Sequence, residues 1–137
     1  MTWRPAAAVV ASIRDRAAAL PGITPSLLAA FGEQVAVQSA VVPPPEAGFE
    51  ITVVNEGALD PRPNEAARDY WARFYEEFPG ATGWARTTGV VSGDDRASAI
   101  VAVEVQCGIM CGWGVMYHLL RASGEWRVEA EVILWVN

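Results

Sequence analysis

The chain has 137 residues, a formal net charge of −6 from sixteen acidic against ten basic residues, and two cysteines. That length supports one core burying roughly 70% of the surface an unfolded chain exposes, so residues 1–137 read as a single domain that needs no staple. The acid excess argues against a nucleic-acid partner, whose phosphates require a clustered positive face. Every basic residue is arginine, which excludes a lysine imine or a lysine general base.

At the start, the apolar run 6–13 is short, ends at Arg14-Asp15-Arg16 and lacks a small-residue cleavage site, so it reads as a helix rather than a secretory signal. No stretch reaches ~18 uninterrupted apolar residues; the most apolar one, 105–120, is broken by Gly108, Gly112 and Gly114. The expectation is a cytoplasmic protein with no membrane partner, in which cysteines are by default reduced thiols.

Val10, Ile13, Ala17 and Leu20 fall at helical spacing and predict a helix over 6–20, stopped by Pro21-Gly22. Thr24 then caps a second helix opened by Pro25, running through Leu27, Leu28 and Phe31 to Gly32. Residues 35–42 and 49–55 read as strands around the loop PPPEAG. In NEAARDYWARFYEEFPG, Asn64 is the expected cap of a third helix, with Ala67, Trp71, Phe74, Tyr75 and Phe78 on its buried stripe and Asp69, Arg73 and Glu77 at ion-pair spacing. The period then changes to two, and strands over 84–91, 97–107, 113–121 and 125–136 follow, separated by SGDDR, CGIMCG and ASGE. This order gives an α+β fold, an antiparallel β-meander with helices packed on one face.

The segment from YWARFYEEFPG through CGIMCGWG to GEWRV and LWVN resembles a family of small, largely uncharacterised bacterial proteins. Their pattern is an aromatic helix ending FPGS, a CGxLCGxG turn, a YxLL strand and a closing GxWxV with a final tryptophan. The likeness covers about the C-terminal half and implies no activity. This chain departs from it at His118, Glu129 and Glu131, where polar residues replace aliphatic or basic ones. The overall shape is similar to the cone-shaped folds related to nuclear transport factor 2, an analogy of fold alone.

A tight turn at Ser123-Gly124 pairs His118 with Glu129 and Met116 with Glu131, while a three-residue turn over 108–110 sets Cys107 opposite Cys111 and Val103 opposite Val115. Alternation then sorts the sheet into two faces. Val101, Val103, Val105, both cysteines, Trp113, Val115 and Tyr117 form an expected core face. The other is mixed: Ile100, Ala102, Met116, Ile133 and Trp135 beside Glu104, His118, Arg127, Glu129 and Glu131, with Trp84 and Arg86 added from the first strand of the meander.

Two cysteines and one histidine do not make a structural zinc site, and no metal is expected. CGIMCG lacks the spacing and helix N-terminus of a thioredoxin-like pair, although a cross-strand disulfide is geometrically accessible. The chemistry left is acid–base and needs no cofactor: His118, Glu129 and Glu104 as catalytic groups, with Arg86, Trp84, Met116, Glu131 and Trp135 holding the substrate. The resulting expectation is a small-molecule-binding domain acting on a mostly apolar molecule, as an isomerase, cyclase, dehydratase or hydrolase. The alternative is a non-catalytic module that forms a homodimer through the same mixed face, using Ile133 and Trp135.

Overall fold

A computed structural model describes residues 6–34, 52–54, 56–87, 90–93 and 95–137. These form α1 (Ala6–Ala17), α2 (Pro25–Gln34), a 3-10 turn (Glu56–Leu59), α3 (Ala67–Glu77) and strands β1 (Trp84–Thr87), β2 (Val91–Ser92), β3 (Ser98–Gly108), β4 (Cys111–Ala122) and β5 (Glu125–Val136). The predicted strand over 35–42 lies outside the described residues, as does most of that over 49–55; residues 52–54 carry no strand. The fold is α+β, an antiparallel sheet in the order β1-β3-β4-β5 with helices packed on it. The predicted strand over 84–91 is divided: β1 pairs with Val103–Gln106 of β3, and β2 pairs with the same edge at Ala99 and Ile100.

Thr24 caps α2 as its position implies, its Oγ1 accepting the Leu27 N–H at 3.3 Å. Asn64 does not cap α3. It takes a left-handed backbone, φ 61°, in the turn before the helix, and Ala66 occupies the cap position without a side-chain bond. The start of α3 is held instead by Glu65, which accepts from Arg73 Nε at 2.8 Å and Arg73 Nη2 at 2.9 Å, and from the Arg62 N–H at 2.9 Å. A bidentate pair of this kind positions its partners more firmly than a single contact. Arg73 also bonds Glu77, one of the two ion pairs that the helical spacing offered.

Arg73 holds the Glu65 carboxyl down to about 2 from its ordinary 4.5, with the Arg62 N–H adding to the effect. The folded value lies below the unfolded one, so the stabilisation is complete above about pH 4.5 and is lost as pH falls towards 2. The thermal midpoint of the wild type is expected to drop more steeply across that window than that of Glu65→Gln, the two curves converging at the acid end. Parallel curves would contradict the assignment.

Two apolar clusters lie along the helix-bearing side of the sheet. Ile13, Ala17 and Leu20 on or just beyond α1, with Leu27 and Phe31 of α2, pack on Val91, Ile100, Ala102 and Met116; Ala130, Val132 and Leu134 of β5 close the edge. Tyr70, Trp71 and Phe74 of α3 pack with Leu59 and Trp84. Tyr70 belongs to this stripe although its spacing with Trp71 gave no sign of it; its hydroxyl donates to the Leu59 carbonyl at 2.8 Å, which permits its burial.

Three bulges decide which residues reach that side. The predicted register of β4 with β5 holds from the two-residue turn at Ser123 (φ 54°) and Gly124 (φ 81°) as far as Leu119, opposite Val128. There Glu129 is extruded, so His118 faces Ala130 and Met116 faces Val132. A second shift extrudes Leu134 and brings Trp135 opposite Gly114. The first bulge has an evident cause. Without it Glu129 and Glu131 would lie beneath α1 and α2, where an unpaired carboxylate is costly to bury; with it Ala130 and Val132 take those places.

The third bulge is at Cys107, which leaves Gly108 opposite Cys111. Cys107 and Cys111 are joined in a disulfide with Cα atoms 5.1 Å apart. The cysteines are therefore not reduced core thiols, and Cys111 is exposed. The Tyr75 hydroxyl donates to the Cys107 carbonyl at 2.6 Å, tying the hairpin tip to α3.

Candidate functional site

The helices cover the mixed face, and no described element lies on the apolar face expected to form the core, although Ala99 and Val115 on it are buried. Of the predicted site residues, His118, Met116, Glu104, Trp84, Arg86 and Trp135 share the helix-bearing side. Glu131 does not, and Glu129 is out of the ladder. Glu129 sits in its bulge and lies 3.9 Å from Arg127; Glu131 pairs with Tyr117 on the opposite face. The His118–Glu129 acid–base pair is thus corrected: an extra residue in β5 separates partners that a regular ladder would have joined.

His118 is sealed rather than presented. It is 2% exposed, and its Nδ1 lies 3.1 Å from the Pro21 carbonyl, which accepts only, so the proton is on Nδ1. Nε2 is buried with no partner among the described residues. Met116 and Ala102, both buried, fill the next position along the sheet. Four residues of strand separate the His118–Ile100 pair from the Gly114–Glu104 pair, about 13 Å. His118 and Glu104 therefore cannot share one reacting centre, and the histidine works as a clasp between the turn after α1 and the sheet.

A different constellation lies at the other end. Register sets Trp84 opposite Gln106 and Arg86 opposite Glu104 across β1 and β3, and the same two β3 residues opposite Gly112 and Gly114 across β3 and β4. Neither glycine has room for a side chain: a Cβ on Gly112 would lie 2.9 Å from the Val105 carbonyl oxygen and 3.0 Å from the Trp135 ring, and one on Gly114 would strike that ring at Nε1. Glu104 and Gln106 consequently form a polar strip flanked by Trp84 and Trp135, over β1 and β4, two strand spacings or about 10 Å apart.

Within the strip the Gln106 amide donates to Glu104 Oε1 at 3.2 Å, Arg86 Nε lies 3.9 Å from Glu104 Oε2, and the Arg86 guanidinium stands 4.8 Å over the Trp84 ring. Arg86 and Glu104 are half-buried. Gln106 and Trp84 are 5% and 6% exposed, yet Gln106 Oε1 and the indole N–H groups of Trp84 and Trp71 have no hydrogen-bond partner among the described residues. The Trp84 N–H approaches the Tyr70 hydroxyl without reaching hydrogen-bond geometry. Burial pushes the Tyr70 phenol up, and that N–H pulls it part of the way back.

Gln106 and Trp71 are the site residues that sequence reasoning missed. Gln106 follows Glu104 by two, so alternation alone places it on the same face; Trp71 carried no signal beyond its aromatic stripe. Among the described residues, no three His, Cys, Asp or Glu side chains lie together as a metal-holding group, and no helix is long and apolar enough to cross a membrane. No family model, curated protein or solved structure matches the chain.

Proposed function

We propose that the chain is a small-molecule-binding domain whose site is the strip of Glu104 and Gln106 between Trp84 and Trp135. The observation that carries this reading is the group of unspent polar atoms at its base. An unpaired buried donor or acceptor costs ~1–3 kcal/mol, and here the Gln106 carbonyl and the indole N–H groups of Trp71 and Trp84 gather within one aromatic cluster and its neighbouring strand. Such a set suits a molecule with a mostly apolar planar body and a carbonyl or carboxylate end, the rings taking the body and the Arg86, Trp71 and Trp84 donors taking the oxygen. Glu104 is the one carboxylate on the strip, so proton transfer at this site would run through it rather than through His118.

The likeness to small bacterial proteins with a CGxLCGxG turn is part of this proposal and adds no activity to it. Composition leads to a cytoplasmic expectation, whereas a closed Cys107–Cys111 disulfide fits an oxidising compartment better.

Tryptophan fluorescence titrated with a panel of aromatic and alicyclic carbonyls and carboxylates tests the site. Saturable quenching in the wild type is expected, at least tenfold weaker in Gln106→Leu and in Arg86→Leu, and unchanged in Glu129→Gln. Equal weakening in all three, or none in the first two, would overturn the assignment.

A further inference from the structure

The sheet face turned away from the helices has no described element upon it; Ala99 and Val115 on it are buried and Val101, Val103 and Val105 half-buried, so its exposed apolar part lies on β4 and β5. Register brings Trp113, Ile133, Val128 and Trp126 onto it, from β4 and β5, and Ile133 and Val128 are each 55% exposed. Large apolar patches of this kind mark interaction surfaces on soluble proteins. We propose that this face is the interface of an isologous homodimer, sheet packed on sheet.

Two observations select a second copy as the occupant. The first is charge. A chain of net charge −6 repels its own copy over most of its surface, but on β4 and β5 this face carries Arg121 and Glu131, which cancel. They stand four residues apart along β4, Glu131 at the level of Tyr117. A two-fold axis in the interface plane, crossing the Leu119–Val128 pair, sets Arg121 of each copy against Glu131 of the other; an isologous contact repeats that pair twice.

The second is area. The exposed part spans β4 and β5, of twelve residues each, about 40 Å long and two strands or about 10 Å wide. Each copy therefore offers on the order of 400 Å², and the pair about 800 Å², the size of a weak, transient interface. A dimer of modest affinity is the result, dissociating on dilution through the micromolar range.

Analytical ultracentrifugation of the full chain across that range, at ~0.15 M salt, decides the matter. The wild type is expected to run as a dimer at high concentration. Val128→Asp and Ile133→Asp shift it to monomer with far-UV dichroism and thermal midpoint unchanged, since both side chains are exposed. Arg121→Glu and Glu131→Arg each weaken the dimer about tenfold, and combined they restore it. The charge-swap rescue is a readout that a folding defect cannot imitate. A wild type that stays monomeric at the highest concentration would overturn the proposal, as would a dimer indifferent to Val128→Asp and Ile133→Asp.

Discussion

His118→Ala is expected to lower the thermal midpoint by about 10 °C, while Glu129→Gln leaves it within about 1 or 2 °C. The histidine ring is among the largest wholly buried side chains, and deleting it leaves a cavity between the sheet and the turn after α1. Large-to-small changes at such sites cost about 2–5 kcal/mol. The Pro21 carbonyl, which accepts from Nδ1 at 3.1 Å, would also lose its protein donor. A central cost of about 3 kcal/mol corresponds to roughly 10 °C in a domain of this size. Glu129 is exposed in its bulge, and surface changes of that kind stay within about 0.5 kcal/mol. Calorimetry on the two variants separates a clasp from a catalytic pair. Were His118→Ala as stable as the wild type, the account of the ring as a structural element would be wrong.

Gly83→Ala is expected to cost about 2–4 kcal/mol, far more than Gly80→Ala, although both glycines have positive φ, 153° and 85°. At Gly80 a Cβ meets nothing within 4 Å, so the penalty is the left-handed backbone alone, about 1 kcal/mol. At Gly83 a Cβ would strike the Gln106 carbonyl oxygen and lie 3.0 Å from Cys107 Cα. Both are main-chain atoms that cannot rotate away. Relief requires β1 to move off β3, and Trp84 and Arg86 move with it. The variant should therefore lose stability in urea and also lose the near-ultraviolet dichroism that a fixed Trp84 contributes. Equal midpoints for the two glycine variants would contradict the close packing of β1 on the Gln106 backbone.

The helices were legible where punctuation and period agreed. Thr24-Pro25 opened α2, and Trp71, Phe74 and Phe78 marked the inner side of α3. Register was legible near each turn: Ser123-Gly124 set Leu120 against Arg127, and the CGIMCG hairpin set Val103 against Val115. What alternation does not reveal is a bulge, because its cause lies outside the strand's own alternating pattern. Glu129 is extruded by what α1 and α2 tolerate beneath them, and Cys107 by the closure of its own hairpin. Each bulge exchanges faces for every residue beyond it. This is why Trp135, two bulges along β5, still reaches the predicted side while Glu131 and Ile133, one bulge along, do not. The apolar residues Val101, Val103 and Val105 read as core because they are valines; helices with small and branched apolar stripes packed instead on the side holding Ile100, Ala102 and Met116.

Native mass spectrometry of the freshly isolated full chain decides whether the strip of Glu104 and Gln106 holds a ligand. A bound molecule that survives gentle transfer is expected with the wild type and is absent from Gln106→Leu, with the subunit count the same in both. A wild type carrying no additional mass, together with flat fluorescence titrations across the carbonyl and carboxylate panel, would contradict the proposed site.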